Sequence, residues 1–565
     1  MKTFSLFLLI FLASLLCKAQ TPAFDWVDGI TGGSKLDVVE GNSLVADAAG
    51  NVYVTGNFTG TIDFDPGPGT WFHTVPSSCE SIFVLKVDAA GNMVWVRFFD
   101  GTGVGYHSAI AVDAAGNTFV TGQFTNTFDF DPGPGTYPVA STSIHSMFLV
   151  RLDAAGNFVY AKTLQSTDRV AGVSITLDAN DSIYIAGTFG GTVDFDPGPS
   201  SFVMTATLSQ NLFISRLDPA GNFIWAKEVL SPGYISGNSI TLDATGNILV
   251  TGAFGGNVDF DPGSGMYMMG SATANALFLL KLDNAGNFNW AKEIRCSGNA
   301  FCIRADAAGN VYSTGYFLGS ADFDPGAGTT SLTSSSFMAY ILRLDASGNF
   351  VRVIDFPGTG STGGGLVFNA AGDLFATGSF AGTADFDPGP GVYTRTATAA
   401  GGYDMYCLKL NGGSGSFDWV ATTEASNDTR GFAIATNAAG AAYTYGTFRG
   451  TTDFDPGSSV ASLTSVGAGN IFLQKVHPDV SDDVQENGNV NSIELYPNPA
   501  HNFIAVTNIP KAASINVCDI TGRILLTQKN ESASVQLDLQ MLATGIYFVN
   551  IATGDERVTK KIVKQ

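Results

Sequence analysis

Asp63-Phe64-Asp65-Pro66-Gly67 recurs unchanged from Asp129, Asp194, Asp259, Asp322, Asp385 and Asp453, at intervals of 66, 65, 65, 63, 63 and 68 residues. Self-similarity at a nearly fixed period marks a repeat architecture, so most of the 565-residue chain reduces to one unit used seven times. Before the motif, residues 43–47 are short and apolar, and residues 51–64 alternate through Val52, Val54, Phe58 and Ile62. After it, residues 82–88 and 93–99 are rich in Val, Phe and Trp, which suit a pleated, half-buried surface. Asp47-Ala48-Ala49-Gly50-Asn51 and Asp88-Ala89-Ala90-Gly91-Asn92 separate these runs, each with a Gly for the left-handed turn of a tight hairpin. The unit is therefore expected to be a four-stranded antiparallel meander.

Four-stranded units repeated around an axis make the blades of a β-propeller. The seventh unit runs through residues 433–437, 442–454 and 471–476 and then stops, one strand short. Phe24-Asp25-Trp26-Val27, ahead of the first unit, matches the fourth-strand segments Phe223-Ile224-Trp225-Ala226 and Phe417-Asp418-Trp419-Val420. The expected fold is all-β: a seven-bladed β-propeller over residues 20–476 whose N-terminal strand closes the last blade, leaving no open edge at the seam. The stretch Asp-Ala-Ala-Gly-Asn-Val-Tyr-Val-Thr-Gly at 47–56 resembles the bacterial seven-bladed β-propeller repeat family of secreted proteins. That resemblance implies the fold and no single activity.

Met1-Lys2, the apolar run 4–16 and Cys17-Lys18-Ala19 have the layout of a secretory signal peptide over residues 1–19, too short for a spanning helix. Residues 477–491 form a polar, acidic linker. Beyond it, Tyr496-Pro497-Asn498-Pro499, Gly522-Arg523, Gly545-Ile546-Tyr547 and a tail with Lys560, Lys561 and Lys564 stand in order. This segment, 492–565, resembles the type A C-terminal sorting domain of the type IX secretion system of Bacteroidetes. The resemblance implies a small C-terminal β-sandwich that partners the type IX machinery, with export across both membranes to the cell surface or the medium.

The formal charge of −22 belongs to the repeats and linker, which disfavours nucleic acid and anionic membranes and suits cations, neutral glycans or basic proteins. Cys79, Cys296, Cys302, Cys407 and Cys518 are an odd set after processing and make no disulfide framework; Cys296 and Cys302 are near enough in sequence for one local bridge or for two separate thiols.

The motif itself offers chemistry. Strand geometry puts both carboxylates of each pair on one face: Asp63 and Asp65, Asp129 and Asp131, Asp194 and Asp196, Asp259 and Asp261, Asp322 and Asp324, Asp385 and Asp387, Asp453 and Asp455. Such pairs either accept turn N–H groups or, with carbonyls and water, ligate Ca²⁺. No EF-hand spacing is present, and a feature identical in every unit is what fold maintenance requires, so the structural role leads and Ca²⁺ is the alternative. Gly-x-Phe precedes every motif and is assigned to the core. The fourth-strand aromatic is replaced in one unit by Arg352.

Zinc-ligand helices, Cys-x-x-Cys and nucleophile-elbow motifs are absent; Gly358, Gly360 and Gly363 fit a dinucleotide pattern by spacing but no helix follows them. Function is expected where the repeats diverge, in the fourth-to-first and second-to-third connections of one rim. Tyr106, His107, Arg169, Tyr234 and Arg430 are the candidate ligand-binding residues there. The leading reading is a non-catalytic scaffold binding a glycan or protein at the cell surface. The alternatives are a secreted lyase or hydrolase of polysaccharide and a purely structural surface-layer component.

Overall fold

The computed structural model describes residues 22–32, 38–67, 69–356, 360–398, 402–466, 470–478, 494–507, 513–519, 523–529, 532, 534–553 and 556–565. The expected signal peptide, Gly358 and all of the linker beyond Pro478 lie outside them. The chain divides after Pro478 into two compact units.

Among the described residues the regular structure of the larger one is all strand. In the first repeat Val38–Ala46, Val52–Asp63, Ser81–Val87 and Met93–Gly101 pair antiparallel in sequence order. The turn between the first two strands closes on itself: Asp47 Oδ1 accepts the N–H groups of Ala49 and Asn51 at 3.0 and 2.9 Å, while Gly50 takes φ +82°. Five further meanders follow, and Phe288–Ala305 serves as outer strand of the fourth and inner strand of the fifth. In the seventh, Ala23–Gly32 supplies the missing strand, pairing Phe24 with Val476 and Asp28 with Leu473. The seven inner strands touch in cyclic order, the last returning to the first, which makes a propeller-like ring.

Two aromatic positions hold each repeat together. Phe58 of Gly-x-Phe lies 4.9 Å from Phe64 of the acidic motif, and Phe64 lies 5.1 Å from Phe83 on the third strand. The same contacts recur at Phe189, Phe195 and Phe213, and at Phe317, Phe323 and Tyr340. The phenylalanines of both motifs are buried in all seven repeats. Packing of this kind needs the same residue each time, which explains why these positions do not vary.

The acidic motif is not a simple turn inside its own repeat. It tips a hairpin that reaches sideways to the outer strand of the preceding repeat: Asp63 pairs with Thr31, Asp129 with Asp100, Asp322 with Arg295 and Asp453 with Glu424. On the opposite edge, Trp26, Trp95, Tyr160 and Trp290 of the fourth strands donate to the next repeat's third-to-fourth turn, as Trp95 Nε1 does to the Ala154 carbonyl at 3.2 Å, whereas the Trp225 and Trp419 indoles do not. Arg352 fulfils the same role, its Nη1 donating to the Ser414 and Gly415 carbonyls at 3.4 Å. The junctions leading into the first, second, third and fifth repeats are therefore joined on both edges.

Cys296 and Cys302 lie on the single strand Phe288–Ala305 as buried, unbridged thiols. Burial pushes the Cys296 thiol up to about 12.

The second unit has two sheets, Glu494–Tyr496, Phe503–Thr507 and Ser534–Asp538 in one, Ile524–Lys529, Ser514–Cys518, Gly545–Thr553 and Glu556–Lys564 in the other. They enclose a core that includes Ile504, Leu537, Val517 and Val549, a small sandwich. Asn498 of the Tyr-Pro-Asn-Pro motif clips to the last strand, donating to the Lys561 carbonyl and accepting the Val563 N–H, both at 2.9 Å. No helix among the described residues is long and apolar enough to cross a membrane.

Candidate functional site: a divergent rim

Strand register makes the repeats comparable position by position. The middle residue of each Gly-x-Phe pairs with an inner-strand residue of its own repeat: Tyr106 with Gln123, Ala171 with Thr188, Ser236 with Ala253, Asn299 with Tyr316, Thr362 with Ser379 and Arg430 with Thr447. A third position immediately precedes the third-strand partner of the Gly-x-Phe phenylalanine, and is occupied by Glu80, His145, Gln210, Phe337 and Tyr403. None of these positions keeps one residue type, although they border the invariant Gly and Phe. The rim is where the repeats differ.

The candidate residues fall on this rim, but chiefly on strands and not in the expected connections. Tyr106 and His107 belong to Gly105–Val112, Arg169 opens Arg169–Leu177, and Arg430 lies inside Asp428–Thr436. The inner strands start earlier than their apolar stretches, because their rim ends carry polar side chains. The His107 side chain lies outside the described residues. Tyr234 precedes Ile235–Leu242 with an exposed ring, and its carbonyl accepts the Gly255 N–H at 2.9 Å.

Tyr106 is drawn into a polar cluster. Its hydroxyl is 2.5 Å from His145 Nε2. Burial raises its pKa above the ordinary phenol range, and the Glu80 carboxylate adds to the shift. The buried Asn57 amide donates to Glu80, and the Asn42 amide donates to Asn57 Oδ1 at 2.7 Å. The His145 carbonyl accepts the Val170 N–H at 3.0 Å, which brings Arg169 alongside. Arg169 Nε lies 3.5 Å from Asp168 Oδ2. Arg430 pairs with Asp428 at 2.9 Å and sits 4.4 Å over the Tyr403 ring. Both rim arginines thus face their own carboxylate.

A second cluster escaped the sequence reading. Phe301, Tyr316 and Phe337 of the fifth repeat form a strip with ring centroids 5.6 and 4.8 Å apart, its outer rings 38% and 46% exposed. The signal was present in the x of Gly-x-Phe, which assignment of the motif to the core concealed.

The Asp pairs sit away from the rim pairs, in the lateral hairpins. In every repeat the first Asp accepts two backbone N–H groups: Asp63 Oδ1 takes those of Asp65 and Trp71 at 3.1 and 2.7 Å, and Asp453 Oδ1 those of Asp455 and Ala461 at 3.1 and 2.8 Å. The second Asp accepts the N–H of the motif's Gly, as Asp65 does from Gly67 at 2.9 Å. For Asp194, burial pushes the pKa up, but the Phe202 N–H, the Ser201 hydroxyl and the Asp196 N–H outweigh it and hold the carboxyl below its ordinary range. Among the described residues no three His, Cys, Asp or Glu side chains are grouped to hold a metal ion.

Residues 494–565 match the secretion system C-terminal sorting domain family. The chain therefore carries the tail that directs export through type IX secretion. It is 26% identical over 254 residues to an uncharacterized WD repeat-containing protein of Acanthamoeba polyphaga mimivirus, covering 39% of this chain and 18% of that one. It is 21% identical over 459 residues to the regulatory protein FlaEY of Caulobacter vibrioides, covering 68% and 47%. The chain thus spans less than half the length of either curated relative. Among solved structures, PorZ, a surface component of the type IX system of Porphyromonas gingivalis, aligns over 93% of this chain and 82% of its own at 11% identity and a TM-score of 0.25. A family 32 glycoside hydrolase from Bifidobacterium adolescentis aligns over 81% and 80% at 10% identity and a TM-score of 0.26. Likeness at these scores bears on neither function nor site.

Proposed function

We propose that this chain is an exported β-propeller scaffold that displays its divergent rim at the cell surface and binds a glycan or protein ligand there. One observation carries the reading. Positions that hold the fold repeat in all seven units, whereas the adjoining rim positions run from Glu80 and His145 to Phe337 and Tyr403. Strong variation at one rim beside invariant core positions is the pattern of a binding surface on a repeat scaffold. Export follows from the sorting domain, with residues 1–19 as the signal for the inner membrane and the type IX machinery as the partner of residues 494–565. Whether the mature chain stays attached or is released depends on processing of that tail.

A second reading, an enzyme acting on polysaccharide, draws on the Tyr106–His145 hydrogen bond, since a phenol and an imidazole in contact form a proton-transfer pair. Tyr106→Phe separates the two. In a binding scaffold this change leaves retention of the ligand intact and no turnover exists to lose; in an enzyme it removes turnover while binding persists.

The test of the leading reading is a glycan array probed with the purified secreted chain and with a variant carrying Tyr106→Ala and Phe337→Gln. Retention of a defined glycan set that the variant loses is the expected result. Equal retention by both chains would place the ligand away from the rim.

A further inference from the structure

The fifth repeat alone carries aromatic residues at three neighbouring rim positions at once. Phe301 occupies the bulge of the inner strand, where the other repeats carry Asn42, Ser108, Val173, Asn238, Gly364 and Phe432. Tyr316 is the x of Gly-x-Phe, elsewhere Asn57, Gln123, Thr188, Ala253, Ser379 and Thr447. Phe337 stands where other repeats have Glu80, His145, Gln210, Asn275 and Tyr403. The repeats are their own control: six of them fold without an aromatic triplet here, so the fold does not require it. Phe301 and Phe337 expose more than a third of their surface, while the motif phenylalanines Phe317 and Phe323 are fully enclosed.

We propose that Phe301, Tyr316 and Phe337 form the stacking platform for a neutral polysaccharide, a ligand class that rests on the reading of the rim as the binding face. Aromatic faces carry negative quadrupole charge, and the C–H groups on the apolar face of a pyranose present weak positive charge to them, while the ring's hydroxyls stay free for hydrogen bonds. Hydrogen-bonding neighbours are at hand: Asn299 pairs with Tyr316 across the strands, and the Thr362 and Ser379 hydroxyls of the next repeat lie 2.8 Å apart. A strip of three rings matches sugar-sized units; a stable protein interface buries on the order of 800 Å² per partner.

Charge decides between neutral and acidic glycans. The chain carries −22, and the two rim arginines singled out above are met by Asp168 and Asp428 at 3.5 and 2.9 Å. A uronate polymer would meet a repulsive field, with these two rim cations already engaged.

The test is affinity electrophoresis of the purified, full secreted chain through gels containing mixed-linkage β-glucan, xylan, mannan or polygalacturonate. Retardation by at least one neutral polymer and none by polygalacturonate is expected. The double variant Phe301→Asn, Phe337→Gln should lose at least about tenfold in affinity, the scale of a removed aromatic anchor. Asn42 and Gln210 already occupy these positions in other repeats, so the graft keeps the fold, and an unchanged Tm verifies it. If the folded variant binds as tightly as the parent, the platform is wrong while the rim reading stands. Retardation by polygalacturonate alone overturns the ligand class, and retardation by none of the four overturns the proposal outright, leaving a protein ligand as the form the rim reading then takes.

Discussion

Asp63 Oδ1 accepts the backbone N–H of Trp71 at 2.7 Å, eight residues on, and so closes the loop at the tip of the lateral hairpin onto its return strand. The same bond joins Asp259 to Tyr267 and Asp385 to Tyr393, both at 2.8 Å. Asp63→Ala removes the acceptor for two N–H groups and is expected to cost about 1 kcal/mol, seen as a lower midpoint of denaturant unfolding. Asp63→Asn keeps an acceptor oxygen and should cost much less, and a chelator should leave Tm unchanged. A chelator-induced fall of many degrees, with Asp63→Asn as damaging as Asp63→Ala, would instead assign the pairs to Ca²⁺.

The seam between the seventh and first repeats breaks a charge pattern. At four other junctions an outer-strand cation stands near the next repeat's turn carboxylate: Arg97 near Asp153, Lys162 near Asp218, Lys227 near Asp283 and Lys292 near Asp345. At the seam the equivalent residue is Asp28, and its neighbours are acidic. Burial first, then Asp65 and Asp88, raise its pKa to about 7. A pKa raised in the folded state stabilises the fold fully below the unfolded carboxyl range, and this contribution is lost as pH rises through about 7. With solvent screening allowed for, the loss between pH 5 and 8 is about 1 to 2 kcal/mol. Asp28→Asn should flatten that part of the stability profile, and Asp28→Lys should raise Tm at pH 8. Equal pH dependence in the parent and Asp28→Asn would remove Asp28 as its source.

Arg352 is expected to tolerate Trp better than Ala. Arg352→Trp restores the ring and N–H donor used at Trp95, whereas Arg352→Ala leaves the Gly415 turn without its cross-repeat donor and costs about 1 kcal/mol. Comparison of the two variants by denaturant unfolding decides it; an Arg352→Ala chain as stable as the parent would show that the contact contributes nothing.

What was legible in the sequence follows from repetition. Seven copies of one meander exposed the strands, the enclosed Phe58 and Phe64 positions and the borrowed strand at Phe24, because local pattern and turn chemistry agree in each copy. Contacts between repeats were not legible. The pairing of Asp129 with Asp100 and the role of Arg352 depend on how neighbouring blades stagger, which no single repeat encodes. The rim was half legible: Tyr106 and Arg430 were found as divergent residues, but His145 and the Phe301 strip needed the strand register, since their divergence shows only when positions are aligned through the bulge. Tyr234 lies by sequence in a divergent connection, and the register places it outside the paired rim positions.

Removal of residues 494–565 should halt the chain in the periplasm, because the tail is what the type IX machinery reads. Fractionation with an antibody to the propeller is the measurement. A truncated chain that still reaches the medium or the surface at the parent level would mean that another segment carries the export signal.

Export and binding through the rim are tested together on intact cells incubated with fluorescently labelled neutral polysaccharide of the kind that retards the purified chain. Cells producing the parent chain should retain the label or shed it bound to the secreted protein. Cells producing the chain without residues 494–565, and cells producing the folded, exported Phe301→Asn, Phe337→Gln variant, should leave it free. Label captured equally by all three strains would contradict the claim.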